Sequence, residues 1–355
     1  MKIDKCLQDP VFQLNLLLWM AKDQPKECYR VRPLFRELGY DILYVENPFS
    51  FPETTLNAIG ESGIDISQRP EPDLILRNRN HHKALYFEAK KQSFGASSST
   101  AKQARGHLIA TGPAFSEVFT PLKSCLLCYV LPHDDRDKMR ACLDELSREL
   151  TENSFRHGES SIHGLSCRDA RIIYSLDSVF KRYTGFPENE CVLMENVTED
   201  TDPCPLLLVF SEDDCYNNED RDFYRRGMIE QVRACLLCEL HPLGVGDSYE
   251  ITPDKLLDKT TDGIFSYLGR LRQKGLQRLV RENVLSEIAK YWSDKQAGVR
   301  MSNGALTIRW QVSGEKDTFL EWLEDRNRSF GTSKPSDDPQ MLIDDMPQLS
   351  PNEES

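Results

Sequence analysis

A chain of 355 residues with 39% apolar and 28% charged residues has the composition of a globular protein long enough for two modest cores. Eleven cysteines in no regular framework argue against a secreted disulfide scaffold and for a reducing, cytoplasmic setting, and no apolar run approaches the length of a membrane span. The net charge of −13 argues against a general nucleic-acid binder, but residues 1–133 hold 16 Lys and Arg against 14 Asp and Glu, so residues 134–355 carry −15.

The opening "MKIDKCLQDPVFQLNLLLWMAK" loosely mimics a signal peptide, but Asp4, Asp9, Gln13 and Asn15 interrupt its apolar stretch. It reads instead as a buried or amphipathic helix from about Val11 to Met20. "KECYRVRPLFREL" follows as a helical pattern stopped by Gly39, then "YDILYVENPF" alternates as a strand. A long Gly-, Pro-, Ser- and Thr-rich connection, residues 50–71, leads to "EPDLILRNRNHHKALYFEAKKQSF", two apolar runs around a polar turn, which predicts a hairpin. "GASSSTAKQARGHLIATG" has hydroxyls able to cap a helix, and "SCLLCYVLP" reads as a fully buried strand.

Beyond these, "RDKMRACLDELSREL" predicts a helix and "DARIIYSLDSVF" a strand running into another. From about Glu188 a second α/β set is expected: strands "CVLMENV" and "PLLLVFSED", a long helix "RDFYRRGMIEQVRACLLCEL", one from Thr252 into Trp292, the strand "GALTIRWQV" and the helix "TFLEWLEDRN". The Pro-, Ser- and Asp-rich residues 331–355 are expected to be a disordered acidic tail. A solubilising role suits its composition; competition with nucleic acid for a basic groove is the sharper expectation.

The hairpin carries the chemistry. Residues of one strand alternate between faces, so Glu88 and Lys90 share one while Leu85, Phe87 and Ala89 take the other, and a hairpin partner brings Asp73 within reach. Two adjacent carboxylates repel each other unless a hard divalent cation lies between them. With a lysine beside it, such a cation suits phosphodiester hydrolysis. Residues 77–105 are otherwise basic: Arg77, Arg79, Lys83, Lys90, Lys91, Lys102 and Arg105 face the single acid Glu88.

"EPDLIL … YFEAKKQ" resembles the PD-(D/E)xK motif of the restriction-endonuclease-like nucleases, over about residues 27–133. The order helix, three strands, helix, strand is similar to their αβββαβ core. The resemblance implies an α/β fold with that core in a domain of residues 1–185; it says nothing of the remainder, where the strand and helix pattern predicts a second α/β domain of unassigned fold, residues 186–330, for partner or substrate binding. It implies Asp73 and Glu88 as ligands of Mg²⁺ or Mn²⁺, the Ala89 carbonyl as a further ligand, Lys90 as the catalytic lysine, Gln103 as a supporting residue and Glu37 as an additional acid. Arg77, Arg79, Lys91, Lys102 and Arg105 become candidate nucleic-acid contacts, with DNA the expected substrate. Members with large partner domains are often effectors of prokaryotic restriction or anti-phage defence; a homo-oligomer would be compatible. The alternative is a non-catalytic nucleic-acid-binding or assembly subunit that retains the fold.

Other signals read more plainly. Cys125–Cys128 and Cys235–Cys238 have C-x-x-C spacing, but both are "CLLC", and core cysteines are the expectation over a zinc site. His81 and His82 read as a solvated turn. The basic stretch "GRLRQKGLQRLVRE", residues 269–282, reads as a solvated helix face paired with nearby acids, with a phosphate track as the second reading.

Overall fold

Apolar side chains recur on both faces of the central strands, which demands cover on both sides. A computed structural model describes residues 2–25, 29–198, 201–212, 215, 217–292 and 298–325. The chain is mixed α/β, and its elements run α1 (Ile3–Cys6), α2 (Pro10–Ala21), α3 (Leu34–Glu37), β1 (Asp41–Val45), α4 (Glu53–Glu61), β2 (Leu74–Asn78) and β3 (Lys83–Ala89). Next come α5 (Ser99–Ala110), α6 (Pro113–Val118), β4 (Ser124–Pro132), α7 (Arg136–Glu152), β5 (Ser160–Arg168), β6 (Arg171–Ser175), α8 (Ser178–Thr184) and β7 (Glu190–Met194).

These seven strands form one sheet in chain order. β1, β2 and β3 are an antiparallel meander, β4 and β5 join parallel, and β6 and β7 return antiparallel. The parallel β3–β4 step requires a crossover, which α5 and α6 supply. Strand alternation then sorts the core. Ile75, Tyr86, Leu127 and Tyr129 pack with Ala104, Leu108, Leu143 and Leu146 of α5 and α7, while Leu74, Phe87, Cys128 and Val130 pack with Phe12, Leu16 and Phe35 of α2 and α3.

A second unit follows: α9 (Asn218–Leu240), β8 (Ser248–Ile251), α10 (Pro253–Thr260), α11 (Arg270–Val280), α12 (Ser286–Trp292), β9 (Val299–Ser302), β10 (Ala305–Arg309) and α13 (Ser313–Glu324). Its antiparallel sheet has the order β8-β10-β9. Its apolar residues are continuous with the core on the α2 side of the large sheet.

Several expectations need correction. Placing the domain boundary at residue 186 cuts off β7, which is an edge strand of the first sheet. "PLLLVF" forms no strand: Leu206–Phe210 are buried, but Asn15 accepts from Leu208 N–H and Val209 N–H and donates to Val209 O, while Trp19 donates to Leu206 O. Side chains thus meet backbone needs that a partner strand would otherwise meet. The helix expected before β1 is the single turn α3, because Pro33 stands at its start. The connection of residues 50–71 contains α4. The helix expected from Thr252 is broken at Gly263, whose φ of 82° lies in the left-handed region. Cys125 and Cys128 are buried free thiols on opposite faces of β4, but Cys238 is exposed on α9. Residues 331–355 lie outside the described residues. Among the described residues, no helix is long and apolar enough to cross a membrane.

Candidate functional site

Where the meander meets the first parallel strand, the last residues of β3 lie beside the residue that opens β2. Leu74 pairs with Phe87, which sets Asp73 against the Glu88–Ala89 peptide. Asp73 O accepts from Glu46 N–H at 3.0 Å, and Asp73 N–H donates to Phe87 O at 3.1 Å. The Asp73 side chain turns back, its Oδ2 accepting from Ala89 N–H at 2.5 Å.

Glu88 is 5% exposed and faces α5. Its Oε1 accepts from Lys90 Nζ at 2.6 Å, so both side chains share the face that strand alternation requires. Its Oε2 is buried without a hydrogen bond, 3.5 Å from Nε2 of the buried His107. Tyr86 Oη lies 2.8 Å from His107 Nδ1. Tyr129, paired with Glu88 across β3 and β4, buries its hydroxyl without a partner. Gln13 of α2 donates to Lys90 O at 3.2 Å, tying this strand end to the opposite helix.

The electrostatics of the two acids diverge. Burial and then the Glu88 charge raise the Asp73 carboxyl well above the ordinary carboxylate range. Burial also pushes Glu88 upward, but Lys90 and His107 outweigh it and hold the group down to about 2. One carboxylate is compensated and the other is not.

The predicted residues are therefore partly united. Asp73, Glu88 and Lys90 converge, and Ala89 joins them through its N–H. Glu37 does not: it forms a bidentate pair with Arg32, as near as 2.9 Å, on the outer side of the α3 turn. The acid beside Asp73 is instead Glu46, 7% exposed, just after β1 and at φ 46°, a strained backbone for a non-glycine residue. Its carboxylate lies 3.6 Å from Arg272 Nε of α11. Gln103 is exposed on α5, and His107, one turn further on, is the helix residue that reaches Glu88. Four-residue spacing on a helix was the available signal for His107; nothing local announces Arg272.

The basic residues scatter as well. Arg77 and Arg79 lie toward the hairpin turn, Arg77 roughly 13 Å from Asp73 at about 3.3 Å per residue along β2. Lys102 pairs with Asp65 at 2.9 Å and Arg105 with Glu149 at 2.8 Å. Only Lys91 stays next to the site, exposed one residue after Lys90. His81 and His82 form the turn itself, His82 at φ 52°.

No family model, curated protein or solved structure matches the chain.

Among the described residues, no three His, Cys, Asp or Glu side chains form a ready-made metal cage. Two carboxylates, one of them with an orphaned buried oxygen, still suit a hard divalent ion, which takes few protein ligands and completes its shell with water and phosphate oxygens.

Proposed function

We propose that the chain is a nuclease that depends on Mg²⁺ or Mn²⁺ and hydrolyses phosphodiester bonds, with DNA as its substrate. The observation that carries this reading is the convergence of Lys90 Nζ on Glu88 Oε1, at 2.6 Å, beside Asp73 seated on the Glu88–Ala89 peptide. The antiparallel meander, helical crossover and parallel fourth strand support it, because the PD-(D/E)xK resemblance implies this arrangement around the motif.

Asp73 and Glu88 would hold the metal ion. When bound, the ion supplies a water of lowered pKa and stabilises charge on a phosphoryl oxygen. Lys90 positions its ammonium beside that water or beside the oxygen where charge develops. Tyr86 orients His107, and His107 and Lys90 together orient the Glu88 carboxylate, so the ligand is aimed before substrate arrives. Lys91 adds positive potential at the exposed rim.

The test is cleavage of supercoiled plasmid, linear duplex, single-stranded DNA and RNA with Mg²⁺, with Mn²⁺ and with chelator. The reading predicts chelator-sensitive cleavage of a DNA substrate. A purified folded chain that cleaves none of the four with either metal contradicts it.

A further inference from the structure

The stretch expected to be a solvated helix face paired with acids forms α11, whose Arg272 pairs with Glu46 while the cations of its outer face do not pair. Arg270, Lys274 and Arg278 recur at every fourth residue, so they occupy one face, and all three are exposed. None has a hydrogen-bond or ion-pair partner among the described residues, although the same unit pairs the exposed Lys259 with Glu239. No residue of α11 is acidic. Like charges at this spacing oppose helix formation, a cost that residues 134–355, carrying −15, could readily have relieved.

The placement of α11 gives the stripe its meaning. Leu268 bridges to Val45 at the end of β1, and Gly269 N–H donates to Val45 O at 3.1 Å. A Cβ at Gly269 would stand 2.5 Å from Glu46 O, so the two backbones meet as closely as glycine permits. Arg272 then reaches the Glu46 carboxylate, and Glu46 is hydrogen-bonded to Asp73. The helix thus begins one hydrogen bond beyond the acid site. Leu271, 82% exposed, and the exposed Tyr267 add apolar surface at this end.

We infer that α11 is the track along which the nucleic-acid backbone lies while the scissile phosphate occupies the Asp73–Glu88–Lys90 site. The inference rests on the nuclease reading for that site. From Arg270 to Arg278 the stripe spans about 12 Å at 1.5 Å per residue. That is the axial rise of about three to four phosphates of one duplex strand. Three cations on one exposed helix face fit a polyanion of regular charge spacing, and Leu271 and Tyr267 fit the apolar faces of its sugars.

The experiment is duplex binding in chelator, where no metal-dependent cleavage competes, by fluorescence anisotropy across a salt series. It compares wild type, Arg270→Ala/Lys274→Ala/Arg278→Ala, and the charge-keeping Arg270→Lys/Lys274→Arg/Arg278→Lys, with thermal melting as the control for folding. The alanine variant should bind roughly a hundredfold more weakly near 0.1 M salt, with a salt slope about 2.7 units shallower, as loss of about three phosphate contacts requires. The charge-keeping variant should bind like wild type. Equal affinity and slope in the alanine variant, or no nucleic-acid binding by wild type, overturns the inference, as does a stripe that binds only anionic vesicles. Cleavage with Mg²⁺, read separately, distinguishes the two readings. Stripe-dependent binding without cleavage leaves the track standing and removes the nuclease, whereas cleavage with stripe-independent binding does the reverse.

Discussion

Asp73 and Glu88 are held together by backbone geometry that neither charge favours. Lys90 and His107 compensate Glu88, but burial and its neighbour's charge raise the Asp73 carboxyl, so at pH values above the ordinary carboxylate range Asp73 works against folding. Asp73→Asn keeps an acceptor for Ala89 N–H and removes the repulsion. It should raise the melting temperature of the metal-free protein by about 2–4 °C while abolishing the stabilisation that Mn²⁺ gives wild type. Unchanged or lower melting in chelator would show that Asp73 is not strained, and an undiminished Mn²⁺ shift would show that it is not a ligand. A second buried group gives a pH signature. His163 lies between Tyr174 and Ser161, and Ser161 donates to Asp177. Burial is the main cause that lowers His163 from its ordinary 6.5 to about 3. Below pH 6.5 the unfolded chain therefore binds a proton that the folded chain refuses, and stability is lost as pH falls. The stability advantage of wild type over His163→Leu should shrink by about 1.4 kcal/mol per pH unit between about pH 6 and 4. A pH-independent difference in urea titrations would mean that His163 is not held neutral.

At the scale of elements, α2 shows how one polar side chain can replace a strand. Asn15 is fully buried and meets three backbone groups of Leu208 and Val209. Asn15→Ala leaves those groups without partners and should cost about 3–5 kcal/mol in denaturant unfolding; a loss below about 1 kcal/mol would mean that water or a local shift replaces them. This contact explains the misread of "PLLLVF": an apolar run reports burial, and only the distant residue that satisfies its backbone decides whether it is a strand. Elements defined by their own residues were legible. Ser98 caps α5, and the unbroken apolar run of β4 spans Ser124–Pro132. In the site, alternation was enough to place Glu88 with Lys90, since parity belongs to one strand. Glu46 and Arg272 escaped because their positions depend on a bend after β1 and on a helix more than two hundred residues away. Gln103 and Glu37 were assigned by resemblance, and each lies on a helix face or turn directed elsewhere.

For the whole molecule, the second unit docks on the edge of β1 at the site itself, and one continuous core joins it to α2 and the large sheet. The uneven charge then becomes intelligible: within a part of the chain that is acidic overall, α11 exposes a basic stripe near Glu88 and Asp73, which would admit a polyanion by one route and repel it elsewhere. The central claim is that Lys90 and the acids beside it act on a phosphodiester. The most direct measurement is Mg²⁺-dependent cleavage by wild type and by Lys90→Ala on the same duplex, with binding measured in parallel. Loss of cleavage by at least about a hundredfold is expected, with affinity changed by less than about threefold, since one cation among several adds little to backbone binding but acts where charge develops. Near-normal turnover by Lys90→Ala, or cleavage by wild type that persists in chelator, would contradict it.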